Sequence, residues 1–207
     1  ARPDAHTESS TVDGKIGLQG ADPGDHMTWA ELQSDNGSGL NDPGFDDDNA
    51  QNTMGIFFRT GSGWEDFQRL IHTFDTSSIG TNVVSAAVWS FVATSAPTGF
   101  SEVTHSVVSS TTASDTGLAK GDWDGFGTTV FGSWENDGIT VDSSSFTDIT
   151  FSSDGRAHIN RTGITKIGNR WEADRANSDP GTSTQAAGGI NMFAADETGT
   201  SKDPKLV

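Results

Sequence analysis

The hydrophobic positions in residues 67–94 form two apolar runs, rich in β-branched and aromatic residues, on either side of a short polar segment. In an extended chain the first run has two apolar faces, with Leu70 and Phe74 on one and Phe67 and Ile71 on the other. A strand with apolar side chains on both faces is typical of a sheet that is covered on both sides. The first run therefore predicts a buried central strand.

The polar segment, Asp75 to Ser78, predicts a corner between two strands. Asp, Ser and Thr side chains can hydrogen-bond the nearby backbone and end one strand before the next begins. In the second run, one predicted face carries Val84, Val88 and Val92, and the other carries Val83, Ala87, Trp89 and Phe91. A helix is the alternative for both runs, but the β-branching and the close turn signals favour strands.

Short apolar segments separated by turn-forming residues continue along the rest of the chain. They predict further strands at residues 11–18, 29–32, 54–59, 100–108, 128–134, 139–141, 146–151, 164–171 and 190–194. Residues 113–127 predict one irregular or helical turn, and residues 152–160 predict a short helix capped by Ser152 or Ser153. The helical turn carries three apolar anchors, Leu118, Trp123 and Phe126.

Together these elements predict an all-β protein, an antiparallel β-sandwich of jelly-roll-like form with about 8 to 11 strands and one short helix. Residues 1–10 are polar and predict an N-terminal arm or lead-in, and residues 11–207 predict a single β-sandwich domain. Residues 34–53 and 177–189 predict two long polar loops. Loops of that length in a compact domain usually bind an ion, cover a surface or move.

Charge and composition exclude several classes of function. The 207 residues include 12 basic and 29 acidic residues, a net charge of −17, which would repel nucleic acid and anionic membranes. The absence of Cys excludes disulfides, thiolate catalysis and Cys-ligated zinc. No apolar run reaches the roughly 18 to 20 residues that a membrane-spanning helix needs. Six Trp and twelve Phe, spaced between turn formers, favour a thin sandwich core over disorder.

Two groups of carboxylates are candidate calcium ligands. Asp46, Asp47 and Asp48 are consecutive in the first long loop, and Asp122 and Asp124 flank Trp123. Calcium takes six to eight oxygen ligands from side chains and carbonyls in loops. The spacing is not that of an EF-hand loop. The alternatives are a solvated acidic loop for the first group and a structural turn for the second.

Trp64, Trp134 and Trp123 are candidate contacts for a glycan or a protein partner. Trp64 and Trp134 lie beside turn-forming residues, and acidic residues are close to all three in sequence. An exposed ring can stack on the apolar face of a sugar while nearby acids bond its hydroxyls. The alternative is packing in the core or at a subunit interface, where aromatic residues are also enriched.

The sequence predicts that the chain is not an enzyme. It has no Gly-x-Ser-x-Gly elbow and no other nucleophile signature. Its five histidines have no pair spaced two or four residues apart: they are His6, His26, His72, His105 and His158. Two facing carboxylates could serve a glycosidase, but nothing distinguishes one pair among the 29 acidic residues.

Four segments carry a resemblance to a known group of domains: RLIHTFDTSSIGTNVVSAAVWSF, SSTTASDTGLAKGDWDGFGTTVF, ITFSSDGRAHINRTGITKIGNR and FAADETGTSKDPKLV. They resemble β-sandwich domains that recur in tailed-phage structural proteins and related virus sequences, and the likeness runs across nearly the whole chain. Such domains are also similar to disaggregatase-related and carbohydrate-binding sandwiches of secreted polysaccharide-degrading enzymes. The resemblance implies a surface module for decoration, fibre building or glycan contact. This chain departs from it in having no Tyr.

Three functions are therefore expected, in this order. The first is a structural protein of a phage or virus particle that forms homo-oligomers or binds capsid or tail proteins at the virion surface. The second is a carbohydrate-binding module, with or without calcium, that binds a cell-surface glycan. The third is a subunit of a non-viral extracellular filament or surface layer.

Overall fold

The computed structural model describes residues 1–3, 11–19, 27–34, 44–46, 51–59, 63–95, 103–139, 141–180, 186–197 and 199–207. The first strands are β1 (Asp13–Gln19), β2 (Gly44–Asp46), β3 (Gln51–Arg59), β4 (Gly63–Asp75), β5 (Val88–Phe91) and β6 (Ala93–Ser95). The later strands are β7 (Thr104–Ser109), β8 (Gly132–Glu135), β9 (Thr147–Thr150), β10 (Ile164–Trp171), β11 (Ala186–Phe193) and β12 (Lys205–Leu206). The α-helices are α1 (Trp29–Ser34), α2 (Ser153–His158) and α3 (Glu172–Ala176). Short 3₁₀ helices span Ser77–Ile79, Lys120–Gly125 and Asn136–Gly138.

The described strands form two sheets in which every pairing is antiparallel. The larger sheet has nine strands, in the order β6-β11-β3-β4-β10-β7-β8, with β1 paired to β4 and β2 paired to β1. The smaller sheet has the order β12-β5-β9. The prediction of an all-β antiparallel sandwich is confirmed. Nine of the twelve described strands have four residues or more, and the described α-helices are three rather than one.

Strand β4 is the centre of the large sheet and borders a hydrophobic core on each face. Phe67 and Ile71 belong to one core, and Leu70 and Phe74 belong to the other, as the apolar alternation predicts. We call these the first core and the second core. The second core lies between the sheets, because it also holds Trp89 of β5 and residues of β9 and β12. The first core lies on the opposite face, where α1 and the 120–125 turn cover the sheet.

The hydrogen-bonding edges of β4 are occupied as well. Strand β1 pairs with residues 66–72 of β4, and β10 pairs with residues 70–75, so Leu70, Ile71 and His72 have partners on both sides. Strand β3 pairs with the beginning of β4, from residue 63 to residue 67. This middle part of β4 is therefore enclosed on two faces and two edges.

The polar corner after β4 forms as predicted. The Asp75 carboxylate accepts a hydrogen bond from the backbone N–H of Ser77 at 2.9 Å, and a 3₁₀ turn follows. The second apolar run then enters the other sheet, so the two runs face each other across the second core. The predicted strand through Val83 is wrong: Val83 is 84% exposed, and the strand begins only at Val88.

Other predicted elements agree with the structure to different degrees. The strand at residues 164–171 and the helix capped by Ser152, whose hydroxyl accepts from the Gly155 N–H at 3.3 Å, are confirmed. The predicted strand at 29–32 is wrong, because these residues form α1. The predicted strand at 139–141 is also wrong, since Ile139 and Val141 lie outside any strand. Much of the predicted loop 34–53 lies outside the described residues. The described part of this range contains β2 and the start of β3.

The N-terminal residues that are described pack beside the end of the chain. Ala1 accepts a backbone hydrogen bond from Leu206 at 2.9 Å, and the Arg2 guanidinium lies 3.9 Å from the Asp203 carboxylate. Residues 4–10 of the predicted arm lie outside the described residues. The described start of the arm thus lies beside β12.

Candidate functional site

The three tryptophans predicted as glycan contacts are all buried. Trp64, Trp123 and Trp134 are 1%, 1% and 6% exposed, so none has an open ring face on which a sugar could stack. The prediction of exposed rings is wrong, and the alternative of core packing describes them. Trp64 and Trp134 lie in β4 and β8, and the pleat of each strand directs the ring into a core although turn-forming residues are close in sequence.

Each of these rings has specific neighbours. The Arg69 guanidinium covers Trp123, with its central carbon 3.6 Å from the ring centroid, which is the geometry of a cation–π contact. Trp134 stacks on the imidazole of His105 with a centroid distance of 4.0 Å. Trp64 packs beside two other indoles of the first core, at centroid distances of 5.3 and 5.9 Å. All three rings therefore stabilise the interior.

The acidic segment predicted to bind calcium falls largely outside the described part of the chain. Asp46 ends β2, but its side chain is not among those described, and Asp47 and Asp48 lie outside the described residues altogether. Calcium binding by these three residues stays a prediction.

The second predicted calcium pair is divided by the fold. The Asp122 carboxylate accepts hydrogen bonds from the backbone N–H groups of Ala113 and Ala119, both at 2.8 Å, and so closes the turn that carries Trp123. Asp124 is exposed. Within the described ranges, no group of three His, Asp or Glu side chains is placed to hold a metal ion. The structural turn, the alternative at these positions, accounts for Asp122.

The densest polar cluster in the described residues is a buried ion network centred on Asp174 of α3. Its carboxylate accepts hydrogen bonds from Arg69 at 2.6 and 2.8 Å and from Arg170 at 2.8 Å twice. Gln33 of α1 adds a further hydrogen bond at 2.8 Å. Each guanidinium presents one edge, its Nε and Nη2 donors, to the two oxygens of the same carboxylate, which is the strong form of such a bond.

Electrostatics in this network favour the charged carboxylate. Burial by itself would raise the pKa of Asp174, but Arg69 and Arg170 outweigh burial and lower that pKa to about 2. Burial lowers the pKa of Arg69, and the Asp174 carboxylate opposes this shift. Arg69 also donates to the Trp123 carbonyl oxygen and Arg170 to the Asp174 carbonyl oxygen, so the cluster holds several elements together.

Sequence analysis did not single out this network. Arg69 stands in an apolar strand between Gln68 and Leu70, and Arg170 precedes Asp174 by four residues. A charged residue within a run that is apolar on both faces is a usable signal, because such a side chain must be paired when buried. Its partner, however, is 105 residues away along the chain.

Two buried histidines lie in the space between the sheets. Burial lowers the pKa of both His72 and His105 to about 3, so each imidazole is neutral at pH 7, and a hydrogen bond with Asn136 partly opposes the shift of His105. Neither ring nitrogen of His72 has a hydrogen-bond partner among the described residues, whereas the His105 Nε2 atom lies 2.7 Å from Asn136. Both rings are packed against other aromatic rings and are enclosed from solvent.

A groove of about 310 Å³ runs between the segment that precedes β5 and helix α2. It is lined by Val83, Val84, Ser153, Arg156, Ala157, Ile159 and Arg161, and we call it the Val83 groove. Its lining combines apolar side chains with two guanidinium groups and includes no carboxylate. Sequence analysis placed Val83 and Val84 in a strand and did not identify this surface.

A scan of protein-family models and a search of curated proteins find no match for this chain. Each helix in the described ranges is too short or too polar to cross a bilayer.

Proposed function

We propose that this chain is a non-enzymatic structural subunit of a phage or virus particle, where it self-associates or contacts capsid or tail proteins at the virion surface. The resemblance of four long segments to phage structural sandwiches supports this function. The observation that carries it is the internal use of the chain's rings and charges. All six tryptophans are buried, and the Asp174 network stabilises the packing of four elements.

A rigid body of this kind acts through its surface. The buried charges of Arg69, Arg170 and Asp174 are paired with one another, and the buried Asp122 carboxylate is hydrogen-bonded to backbone N–H groups. The two cores on either side of β4 make the sheet a stiff platform whose loops and edges face outward. These are the properties of a subunit that presents a fixed shape to its neighbours.

No specific observation favours the carbohydrate-binding alternative. Sugar stacking needs an exposed aromatic face, and among the described residues the tryptophans offer none. Phe146 is half-buried, and the Lys205 ammonium lies 3.6 Å from its ring centroid. An extracellular filament or surface layer would use the same sandwich, so only the native location separates it from a virion.

Two measurements test the proposal. Mass spectrometry of particles purified from a sample that expresses the chain should find it at a fixed ratio to the major capsid protein, and immunogold labelling should place it on the particle. Light scattering coupled to gel filtration should find a multimer of defined size. A chain that is absent from particles but present in cell-surface filaments would overturn the virion assignment. Saturable binding on a glycan array would favour the carbohydrate-binding module.

A further inference from the structure

The two arginines of the Val83 groove each donate a hydrogen bond to a backbone carbonyl oxygen. Arg156 donates from Nη1 to the carbonyl oxygen of Phe151 at 3.0 Å, and Arg161 donates from Nη1 to the carbonyl of Asn82 at 3.0 Å. Neither guanidinium forms a salt bridge with an acidic side chain in the described part of the chain. Since a guanidinium has five N–H donors, each arginine keeps donors for a partner in a fixed orientation.

This pairing pattern is unusual for so acidic a chain. Acidic residues outnumber basic ones by 29 to 12, so an exposed arginine has many carboxylates available on its own surface. Arg69, Arg170 and Arg175 are each paired with Asp174 or Glu172. The two groove arginines differ from these, and Val83 of the same groove is 84% exposed, so it adds an apolar contact to this surface.

We infer that the Val83 groove binds an acidic segment of a second copy of this chain. The inference rests on the proposed structural function and names the contact by which copies associate. Charge complementarity identifies the occupant, because a groove with two arginines and no carboxylate attracts the surface of a molecule whose net charge is −17. The apolar residues of the groove then exclude water from the ion pairs, which strengthens them.

The contact is heterologous: a basic groove on one copy meets an acidic surface elsewhere on the next. Such contacts produce a ring when the rotation between copies closes and an open chain when it does not. Both outcomes suit a subunit that is repeated along or around a particle.

Charge reversal in the groove tests the inference directly. Sedimentation equilibrium of the full chain should show that R156E/R161E weakens self-association by at least about tenfold, because two attractive charges become repulsive. V83D should weaken it as well, since the apolar centre gains a charge.

Two matched controls separate the groove from general effects of charge. K120E makes the charge change of one of the two groove substitutions at an exposed position in the 120–125 turn, and V141D matches V83D at an exposed valine outside the groove. Both should associate like wild type. R156Q/R161Q removes the charges but keeps amide donors for the two carbonyls, so it tests the contact if the glutamate variant folds poorly.

The results distinguish the inference from the proposed function. Self-association of R156E/R161E and V83D at wild-type strength would overturn the groove as the contact, while particle location would still support a structural subunit. A wild-type chain that stays monomeric at every concentration would also overturn the inference. If R156E/R161E and V83D weaken association but the wild-type chain is absent from particles, the groove contact is supported and the virion assignment is wrong.

Discussion

His72 is a neutral imidazole that fills space in the core. It lies on β4 in the second core, where its ring contacts Trp89 at a centroid distance of 5.4 Å, and neither of its nitrogens has a partner among the described residues. His105 lies in the same layer but shares a hydrogen bond of 2.7 Å with Asn136. The two residues are therefore a matched pair that differs in hydrogen bonding.

Their low pKa values predict how stability depends on pH. Because the pKa of each is about 3 in the folded chain and near 6.5 when unfolded, the unfolded chain binds up to two more protons between these values. We therefore expect the free energy of unfolding to fall as the pH falls from about 6.5 to about 3, by up to ~1.4 kcal/mol per pH unit for each histidine. Urea unfolding at a series of pH values measures this slope.

Leucine variants isolate each contribution. Burial raises the pKa of Asp13, so its contribution to the free energy of unfolding increases as the pH falls, opposite to that of the histidines. The quantity to compare is therefore the difference in unfolding free energy between each variant and wild type at every pH. H72L and H105L should each remove the contribution of one histidine to the change of unfolding free energy with pH. At pH 7, H72L should stabilise the fold by about 1 kcal/mol, because it removes unpaired polar atoms, whereas H105L should destabilise it by losing the bond with Asn136. Equal effects of the two variants at pH 7 would contradict this account.

Residue-level interpretation of the sequence succeeded where the local pattern decides the outcome. The faces of β4 follow from alternation alone, so Phe67 and Leu70 were assigned to opposite sides correctly. Trp64 and Trp134 were interpreted from their turn-forming neighbours, but Trp64 pairs with Met27 and Trp134 pairs with His105, which are both distant along the chain. Pairing partners at such separations are not visible in a single sequence.

Asp174 joins four elements of the fold. It lies in α3 and binds Arg69 of β4, Arg170 of β10 and Gln33 of α1. The carboxylate also fixes the guanidinium that covers Trp123, and so it connects the network to the first core.

Removal of the Asp174 charge should be strongly destabilising. D174N leaves two buried guanidiniums without their carboxylate, and we expect it to lower the free energy of unfolding by about 3–5 kcal/mol. D148N, at an exposed position of β9, is the control and should change stability by less than about 0.5 kcal/mol. Urea denaturation at pH 7 compares the two. An Asp174 variant as stable as the control would show that the network contributes little.

Elements were predicted best where they are long or carry a cap. Strand β10 was predicted with its observed bounds, and Ser152 was identified as a possible cap of α2. Helix α1 was predicted as a strand because residues 29–32 are too few to distinguish a helical period from the alternation of a strand. Its capping box was nevertheless present: the Thr28 N–H donates to the Glu31 carboxylate at 2.7 Å, and the Glu31 N–H donates to the Thr28 hydroxyl at 3.2 Å.

The net charge of −17 acts on the molecule as a whole. Repulsion among surface carboxylates opposes the compact state, and dissolved salt screens it. We expect the melting temperature to rise between about 0.01 and 0.15 M NaCl, over which the Debye length falls from about 30 to about 8 Å. Differential scanning calorimetry measures the shift.

A chelator separates screening from specific ion binding. If screening alone acts, EDTA should leave the salt series unchanged, whereas a cation bound by Asp46, Asp47 or Asp48 would make the melting temperature fall when it is removed. A melting temperature that declines with added salt would contradict the repulsion argument. The fold class was predictable because alternation is a property of the whole sequence, but the Val83 groove and its two arginines depend on the tertiary packing of the segment before β5 against α2.

The enclosure of β4 also constrains how this chain can diversify. A substitution at Leu70 or Ile71 must satisfy a packed interior on its own side without displacing a backbone that is bonded along both edges. A shift that relieves crowding in one interior is transmitted to the other, so the two cannot be redesigned separately. Sequence change among descendants of this protein should therefore accumulate in the connecting segments, while this strand stays nearly fixed.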